Sequence, residues 1–547
     1  VINKFTFVQI RNKRMNISWP AYGILCLLLL GLLPACSEKI ERKAAAVSIL
    51  KPCPGFVETG KPPLVYGAEC GELTLKENPA DANSKDISVA ILRLPAISPV
   101  ANADPLFLIQ GGPGGSSIEM ANQIHSFFAD VRKNRDLIFV DQRGTGKSNP
   151  LRCEQASPED LKLPEAKQTE KYIALMKNCA EKYQHNAAFY TTVDAVQDLD
   201  AVRIALGYGK INLWGGSYGT RVALEYARRY PEQARTIILD GVAPVSIALP
   251  KYFARDAMAA LVAVNNECLA QTDCAAEFGN IVQKAETVLQ RLNALQAKGE
   301  PLEISYEHPR NQQTESLHLT PRTFSSLIFM SLYSRDLTVL LPRAISFAEK
   351  EDYRLLAALS ALSSENAQLM NIAEGMRYSV ICNEDWPLLS VSDIEQSTPF
   401  FGIPFVKDIQ PICALWPKAQ LPVDYWEPIK SDVPALLLSG KHDPVTPDVW
   451  AQAVAAHLPN STSLSAAGGN HSISSEGCVP QLIAQFIERA SMKDVKADCV
   501  EKIKPLPLVL GANQKKAASS AADNSSSVGV SSASVSSIDM SSSGSAE

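Results

Sequence analysis

The residue best set for nucleophilic chemistry is a serine among glycines, in Gly215-Gly216-Ser217-Tyr218-Gly219. The stretch fits the pattern G-x-S-x-G, and its flanks are the ones that pattern needs. Ile211-Asn212-Leu213-Trp214 reads as a short apolar strand, and Thr220 to Ala227 reads as a helix with no breaker before Pro231. A serine on a tight strand-to-helix turn projects its hydroxyl out of the sheet, and glycines on either side remove side chains that would clash. The bland alternative, a Gly-rich turn, does not explain why both flanks are present.

A serine hydroxyl attacks a carbonyl only with a general base beside it and a third group to orient that base. For a serine in this setting the acid comes next along the chain and the histidine last. Asp443 closes an apolar run, in Leu438-Ser439-Gly440-Lys441-His442-Asp443-Pro444-Val445-Thr446-Pro447. An Asp before Pro is also an ordinary turn former. Asp432 stands at the wrong end of that run, and Asp385 precedes the last core strands. Of the seven histidines, only His457 and His471 follow Asp443. His457 ends a helical run, whereas His471 follows the loop Gly468-Gly469-Asn470, from which an imidazole can reach over a sheet edge. His471 is therefore the expected base. The developing oxyanion needs backbone N–H donors. Tyr218, directly after the nucleophile, supplies one, and the turn Gln110-Gly111-Gly112-Pro113-Gly114-Gly115 is placed to supply another. Gly144-Thr145-Gly146-Lys147-Ser148 imitates the end of a phosphate-binding loop, but position 141 is Asp where that loop needs Gly, and Asn149-Pro150 opposes the helix it requires.

These residues must be carried by a sheet. Leu106–Ile109, Leu137–Val140, Ile211–Trp214 and Thr236–Leu239 are continuous apolar runs separated by helical stretches. Such runs indicate parallel strands covered on both faces. Residues 36–104 read as a surface-exposed lead-in with short strands, 105–244 as the first part of an α/β core, and 245–430 as a largely helical insertion. The α/β pattern returns at 431–505 with Asp443 and His471, and the Ser/Ala-rich segment 513–547 reads as disordered.

With the turns in view, the chain resembles the proline iminopeptidases and the related tripeptidyl aminopeptidases. Gln110-Gly111-Gly112-Pro113-Gly114 is similar to the H-G-G-P-G turn of the former, and Asp141-Gln142-Arg143-Gly144-Thr145-Gly146-Lys147-Ser148 matches their D-Q-R-G-x-G-x-S loop. The serine turn with Leu239-Asp240-Gly241-Val242-Ala243-Pro244, then Asp443-Pro444-Val445-Thr446-Pro447 and Gly469-Asn470-His471, resemble the latter. The resemblance implies an α/β-hydrolase core, a mostly parallel sheet with helices on both faces, carrying an inserted, largely helical cap. It implies Ser217, Asp443 and His471 as catalytic residues, with Gly112 and Tyr218 as oxyanion donors. It also implies release of short pieces from peptide N-termini. Gln110 replaces the iminopeptidase His, which weakens a strict proline preference and leaves the catalytic residues untouched. A free α-ammonium calls for carboxylates near the nucleophile. Glu384 or Asp385, where the insertion returns to the core, is a candidate, although an acidic pair beside a disulfide is equally a surface feature.

The N-terminus reads as an export signal: Lys4, Arg11, Lys13 and Arg14 precede an apolar stretch from Ala21 to Leu33, too short for a membrane span. A start at Met15 would remove all four cations, so the longer start makes the better signal. Leu33-Pro34-Ala35-Cys36 resembles a bacterial lipoprotein cleavage box, which would leave residues 1–35 cut away and Cys36 lipid-anchored at the outer membrane or in the periplasm. An ordinary secretory signal cut nearby is the alternative. Twelve cysteines, less Cys26 and Cys36, leave five neighbouring pairs: Cys53/Cys70, Cys153/Cys179, Cys268/Cys274, Cys382/Cys413 and Cys478/Cys499. An oxidising compartment would bridge them. No cysteine or histidine spacing suggests a metal, and no cofactor is expected. A net charge of −6 without a basic block argues against nucleic acid. Three functions follow: an exported serine exopeptidase acting on peptide substrates, a carboxylesterase or lipase-like hydrolase on the same core, or a non-catalytic surface-anchored binding protein.

Overall fold

The computed structural model describes residues 49–53, 67–157, 159–160, 163–300 and 302–511. The export segment 1–35, Cys36 and the tail 513–547 lie outside the described residues. Eleven strands are formed among them: β1 (Leu50–Pro52), β2 (Glu69–Lys76), β3 (Asp86–Leu94), β4 (Leu106–Ile109), β5 (Leu137–Val140), β6 (Ile211–Gly216), β7 (Ala234–Asp240), β8 (Glu303–Glu307), β9 (Thr314–His318), β10 (Ala435–Gly440) and β11 (Ser461–Ala466).

Nine of them make one sheet in the order β1-β2-β3-β5-β4-β6-β7-β10-β11. The pairs from β1 to β5 are antiparallel, and those from β5 through β4, β6, β7 and β10 to β11 are parallel. The apolar runs read from the sequence are the central strands. Every residue of β4, β5, β6 and β10 is buried, as strands covered on both faces require. The chain reverses direction across the sheet at β4, which has β5 on one side and β6 on the other. Crevices for ligands open at such reversals, beyond the carboxyl ends of the strands. Ile109 stands beside Gly215 in register, so the turns after β4 and β6 leave the sheet side by side.

Residues 86–94 are not a surface lead-in. Val89, Leu92 and Leu94 are fully buried because β3 extends the main sheet onto β5. The insertion is helical as expected, with helices such as Phe253–Ala270, Ile281–Lys298, Pro321–Ser331 and Leu341–Glu349. It has its own core, in which Leu261, Val264, Phe278, Val288, Phe324 and Ile345 meet. Into it is set a hairpin, β8 with β9, that the sequence reading did not include. The cap core also takes in Val445, two residues beyond Asp443. All five cysteine pairs are bridged as the spacing predicts.

Candidate active site

Ser217 sits between β6 and the helix Tyr218–Arg229 with φ 55° and ψ −126°. A non-glycine residue in that region costs on the order of 1–3 kcal/mol and persists only where its surroundings fix it. They do so here. The Ser217 N–H donates to the Asp240 carbonyl at 2.8 Å. The Ser217 carbonyl accepts from the Thr220 hydroxyl at 2.6 Å and from the Thr220 N–H at 2.9 Å. The glycines of the motif are set by close approach. A Cβ on Gly215 would lie 2.2 Å from the Gly219 carbonyl oxygen, and one on Gly219 would lie 2.3 Å from that of Ile109. The helix can therefore start hard against the sheet.

Asp443 leaves the end of β10, and its carboxylate is almost wholly spoken for. Oδ1 accepts from the N–H groups of Val445 at 2.9 Å and Thr446 at 2.8 Å. Oδ2 accepts from the Thr446 hydroxyl at 2.7 Å and meets His471 Nδ1 at 2.9 Å. Burial pushes this carboxyl up, but the His471 charge and these donors outweigh it, so it stays below the usual carboxylate range. His471 moves the opposite way. Burial pulls it down, and the Asp443 charge, the hydrogen bond and the charge of Asp240 carry it above its ordinary value. With Nδ1 committed to Asp443, Nε2 is the nitrogen left for the Ser217 hydroxyl, which lines the same cavity.

The turn after β4 closes the other side. A Cβ on Gly111 would come 2.8 Å from Ser217 Cβ and 3.0 Å from Tyr218 N, so the turn lies on the serine. The Gly111 N–H is taken by Gln110 Oε1 at 3.1 Å. Gly112 is the next residue of this turn, and Tyr218 opens the helix directly after Ser217. Gly112 lines the cavity beside Ser217.

The cavity holds about 870 Å³ between sheet and cap. Near His471 its wall is aromatic. The Tyr333 ring meets the His471 ring edge-on at 5.0 Å, and Phe329 contacts Tyr333 at 5.5 Å and Phe405 at 4.9 Å. Further off the lining turns polar, with Glu374 and Arg377 paired at 3.0 Å. Glu374 is close to the turn after β4, because the Ala373 N–H donates to the Gly114 carbonyl at 2.9 Å. The cap also grips the histidine loop. Asn470 Nδ2 donates to the Leu332 carbonyl at 2.7 Å and to Thr338 Oγ1 at 2.9 Å, and the His471 N–H donates to the Tyr333 carbonyl at 3.3 Å.

Glu384 and Asp385 are not where an amine receptor must be. Both are fully buried behind the serine helix and neither lines the cavity. Glu384 accepts from the Thr192 N–H at 2.6 Å, the Thr192 hydroxyl at 2.7 Å, Arg221 at 3.3 Å and the Tyr425 hydroxyl. Asp385 takes Arg221 in a fork, at 2.8 and 3.1 Å, and the Leu249 N–H at 2.9 Å. The pair holds a buried arginine of the helix that carries Ser217. Thr446, Asp240 and Glu374 were missed from sequence. Thr446 had a local signal, its place three residues after Asp443 where a hydroxyl can return to the carboxylate, and Asp240 stood in the segment 239–244 that carries the resemblance.

No group of acidic, histidine and cysteine side chains suited to a metal occurs among the described residues. No helix among them is long and apolar enough to cross a membrane.

Residues 104–477 match the model of the α/β hydrolase fold family. The serine protease Hip1 of Mycobacterium tuberculosis (strain ATCC 25618 / H37Rv) is 26% identical over 526 residues, covering 89% of this chain and 98% of that protein. A tripeptidyl aminopeptidase of Streptomyces coelicolor is 29% identical over 190 residues, 32% of this chain and 35% of that one. Among solved structures, a proline iminopeptidase of Mycobacterium smegmatis aligns over 77% of this chain and 98% of its own at 17% identity, with a TM-score of 0.36.

Proposed function

The chain belongs to the α/β hydrolase fold family, and from that premise we propose that it is an exported serine exopeptidase that releases single residues or short peptides from free peptide N-termini. The observation that carries the reading is the Asp443–His471 pair at 2.9 Å, opening with Ser217 onto one capped cavity. Ser217 Oγ attacks the scissile carbonyl while His471 Nε2 takes its proton. The oxyanion settles against the N–H groups of Gly112 and Tyr218. His471 then protonates the leaving amine, and a water activated by the same nitrogen hydrolyses the acyl-enzyme. Asp443 holds the tautomer and stabilises the imidazolium. The peptidase relatives support peptide substrates, since Hip1 is named a protease and the Streptomyces protein a tripeptidyl aminopeptidase.

The cap supports exopeptidase action. An N-terminal ammonium held inside the capped cavity needs a carboxylate in its lining. With Glu384 and Asp385 buried, Glu374, beside the turn after β4, is the lining carboxylate for that task, while Asp160 pairs with Lys171 and Asp408 with Arg322. One oxygen faces Arg377, and no hydrogen bond to the other occurs among the described residues. Five disulfides support an oxidising compartment, and the lipid anchor at Cys36 remains part of this proposal.

The aromatic wall also suits ester acyl groups, which favours an esterase as second reading. A peptide-library digest followed by mass spectrometry decides between them. Products shortened from free N-termini, lost on N-acetylation and on Ser217→Ala, are expected. Hydrolysis of p-nitrophenyl esters without any peptide cleavage would establish the esterase. Failure of a fluorophosphonate to label Ser217 would leave only a binding protein.

A further inference from the structure

The end of β7 touches both halves of the site. Asp240 is its last residue and is fully buried. Its main-chain carbonyl accepts from the Ser217 N–H at 2.8 Å. Its carboxylate serves the loop on the far side of His471. Oδ1 accepts from the Ile473 N–H at 2.9 Å, and Oδ2 accepts from the Ser474 N–H at 2.9 Å and from the Ser472 hydroxyl. The Ser474 hydroxyl in turn accepts from Trp214 Nε1 at 2.9 Å, on the strand that leads to Ser217. The neighbouring Gly241, at φ +70°, lies under the imidazole. A Cβ there would stand 3.0 Å from Thr446 Oγ1 and 3.3 Å from His471 Cε1. Two consecutive residues thus fix the serine backbone, the loop after the histidine and the floor beneath its ring.

The loop they fix needs fixing. Ser472 has φ 72°, a left-handed conformation that an unconstrained serine would leave. Three donors converge on one buried point, and an ionised carboxylate is the side chain that only accepts. Burial pushes the Asp240 carboxyl up, against the pull of those three donors. Three titratable groups face His471: Asp443 from the loop after β10, Tyr333 from the cap, and Asp240 from β7. Asp443 binds Nδ1, Tyr333 presents its ring, and both aspartates favour the imidazolium.

We infer that Asp240 is a positioning residue of the active site, whose carboxylate clamps residues 472–474 so that His471 stays in register with the serine held by the same residue's carbonyl. The inference rests on Ser217 and His471 acting as nucleophile and base, and it does not depend on whether the substrate is a peptide or an ester.

The test is the rate of Ser217 labelling by a fluorophosphonate across pH, with the thermal midpoint measured alongside. Asp240→Asn keeps the shape, removes the charge and turns one acceptor into a donor facing an N–H. Labelling of the folded variant should slow about ten- to a hundredfold, the scale of a small misplacement of catalytic groups. Its acid limb should move to lower pH, because the imidazolium loses a stabilising neighbour. A variant that melts earlier but labels at the wild-type rate with an unshifted limb would overturn the inference. If Asp240→Asn does not fold, Ser472→Ala removes one clamp donor and leaves the charge. It should slow labelling by about tenfold, the lower worth of one hydrogen bond to a charged group, without moving the limb, and an unchanged rate would overturn the inference equally. Absence of labelling in the wild type would instead refute the serine mechanism, so the two failures are distinct.

Discussion

Replacing Glu384 with Gln separates a structural carboxylate from a substrate-binding one. The carboxylate receives the Thr192 N–H on Oε1, and on Oε2 the Thr192 hydroxyl, Arg221 and the Tyr425 hydroxyl. A glutamine amide has one acceptor oxygen. It will keep that oxygen on the Thr192 N–H, which cannot turn away, and place its NH2 where the two hydroxyls can rotate to accept. Arg221 cannot accept, so the lost interaction is its contact at 3.3 Å, while the fork to Asp385 at 2.8 and 3.1 Å survives. A hydrogen bond to a charged group is worth about 1.5–3 kcal/mol. Truncation to Ala, which leaves Arg221 half-compensated and a void, should cost about 3–5 kcal/mol. For a chain of this size the unfolding entropy is on the order of 1 kcal/mol/K. Glu384→Gln should therefore lower Tm by about 2–3 °C and Glu384→Ala by about 3–5 °C in scanning calorimetry. The ratio of KM for free-amine and N-acylated substrates should match that of the wild type. A Gln variant with unchanged Tm and a selectively raised KM for free amines would refute the burial argument.

Glu374→Gln should do the reverse, raising KM for free-amine substrates about tenfold with little effect on N-acylated esters, measured by paired kinetics; equal effects on both would remove Glu374 as the amine receptor. Asp443→Asn should cut kcat by about 10⁴, since an amide in place of the carboxylate favours the wrong histidine tautomer, read by chromogenic turnover on protein with native circular dichroism. The acid limb of kcat/KM should lie above the ordinary histidine value of 6.5, because His471 must be neutral to act as base and Asp443 favours its charged form; a limb below that value would contradict the geometry. Cys382→Ser with Cys413→Ser should cost about 2–4 kcal/mol, seen as an earlier denaturant midpoint, because the bridge closes a loop of 31 residues next to the buried Glu384–Asp385 turn.

What the sequence disclosed was local chemistry at strand ends. Ser217, Asp443 and His471 each lie in a short segment whose glycines, prolines and flanking apolar runs state its geometry, and the structure gathers those segments on one edge of the sheet. The cysteines were legible for the same reason, since each pair closes a short loop. Glu384 and Asp385 were misjudged because an acidic pair does not reveal which way its helical turn faces. Their partner, Arg221, is remote in the chain and is itself unremarkable on a helix. The length of the antiparallel edge was missed at 86–94, where burial depends on the pairing of β3 with β5. Asp240 stood in a segment that carries the family resemblance, but nothing local marked its role, which lies in contacts on two sides with segments before and after the cap.

The hydrogen bonds from Asn470 and His471 to residues 332–338 make the cap an interlock. A cap that swung aside to admit a bulky chain would break those bonds, stripping the histidine loop of its cap contacts, or drag that loop with it and pull the base from the serine. To the extent that the loop follows the cap, opening disarms the site and favours substrates that fit beneath a seated cap. Such a mechanical link spares folded proteins around the enzyme without any inhibitor.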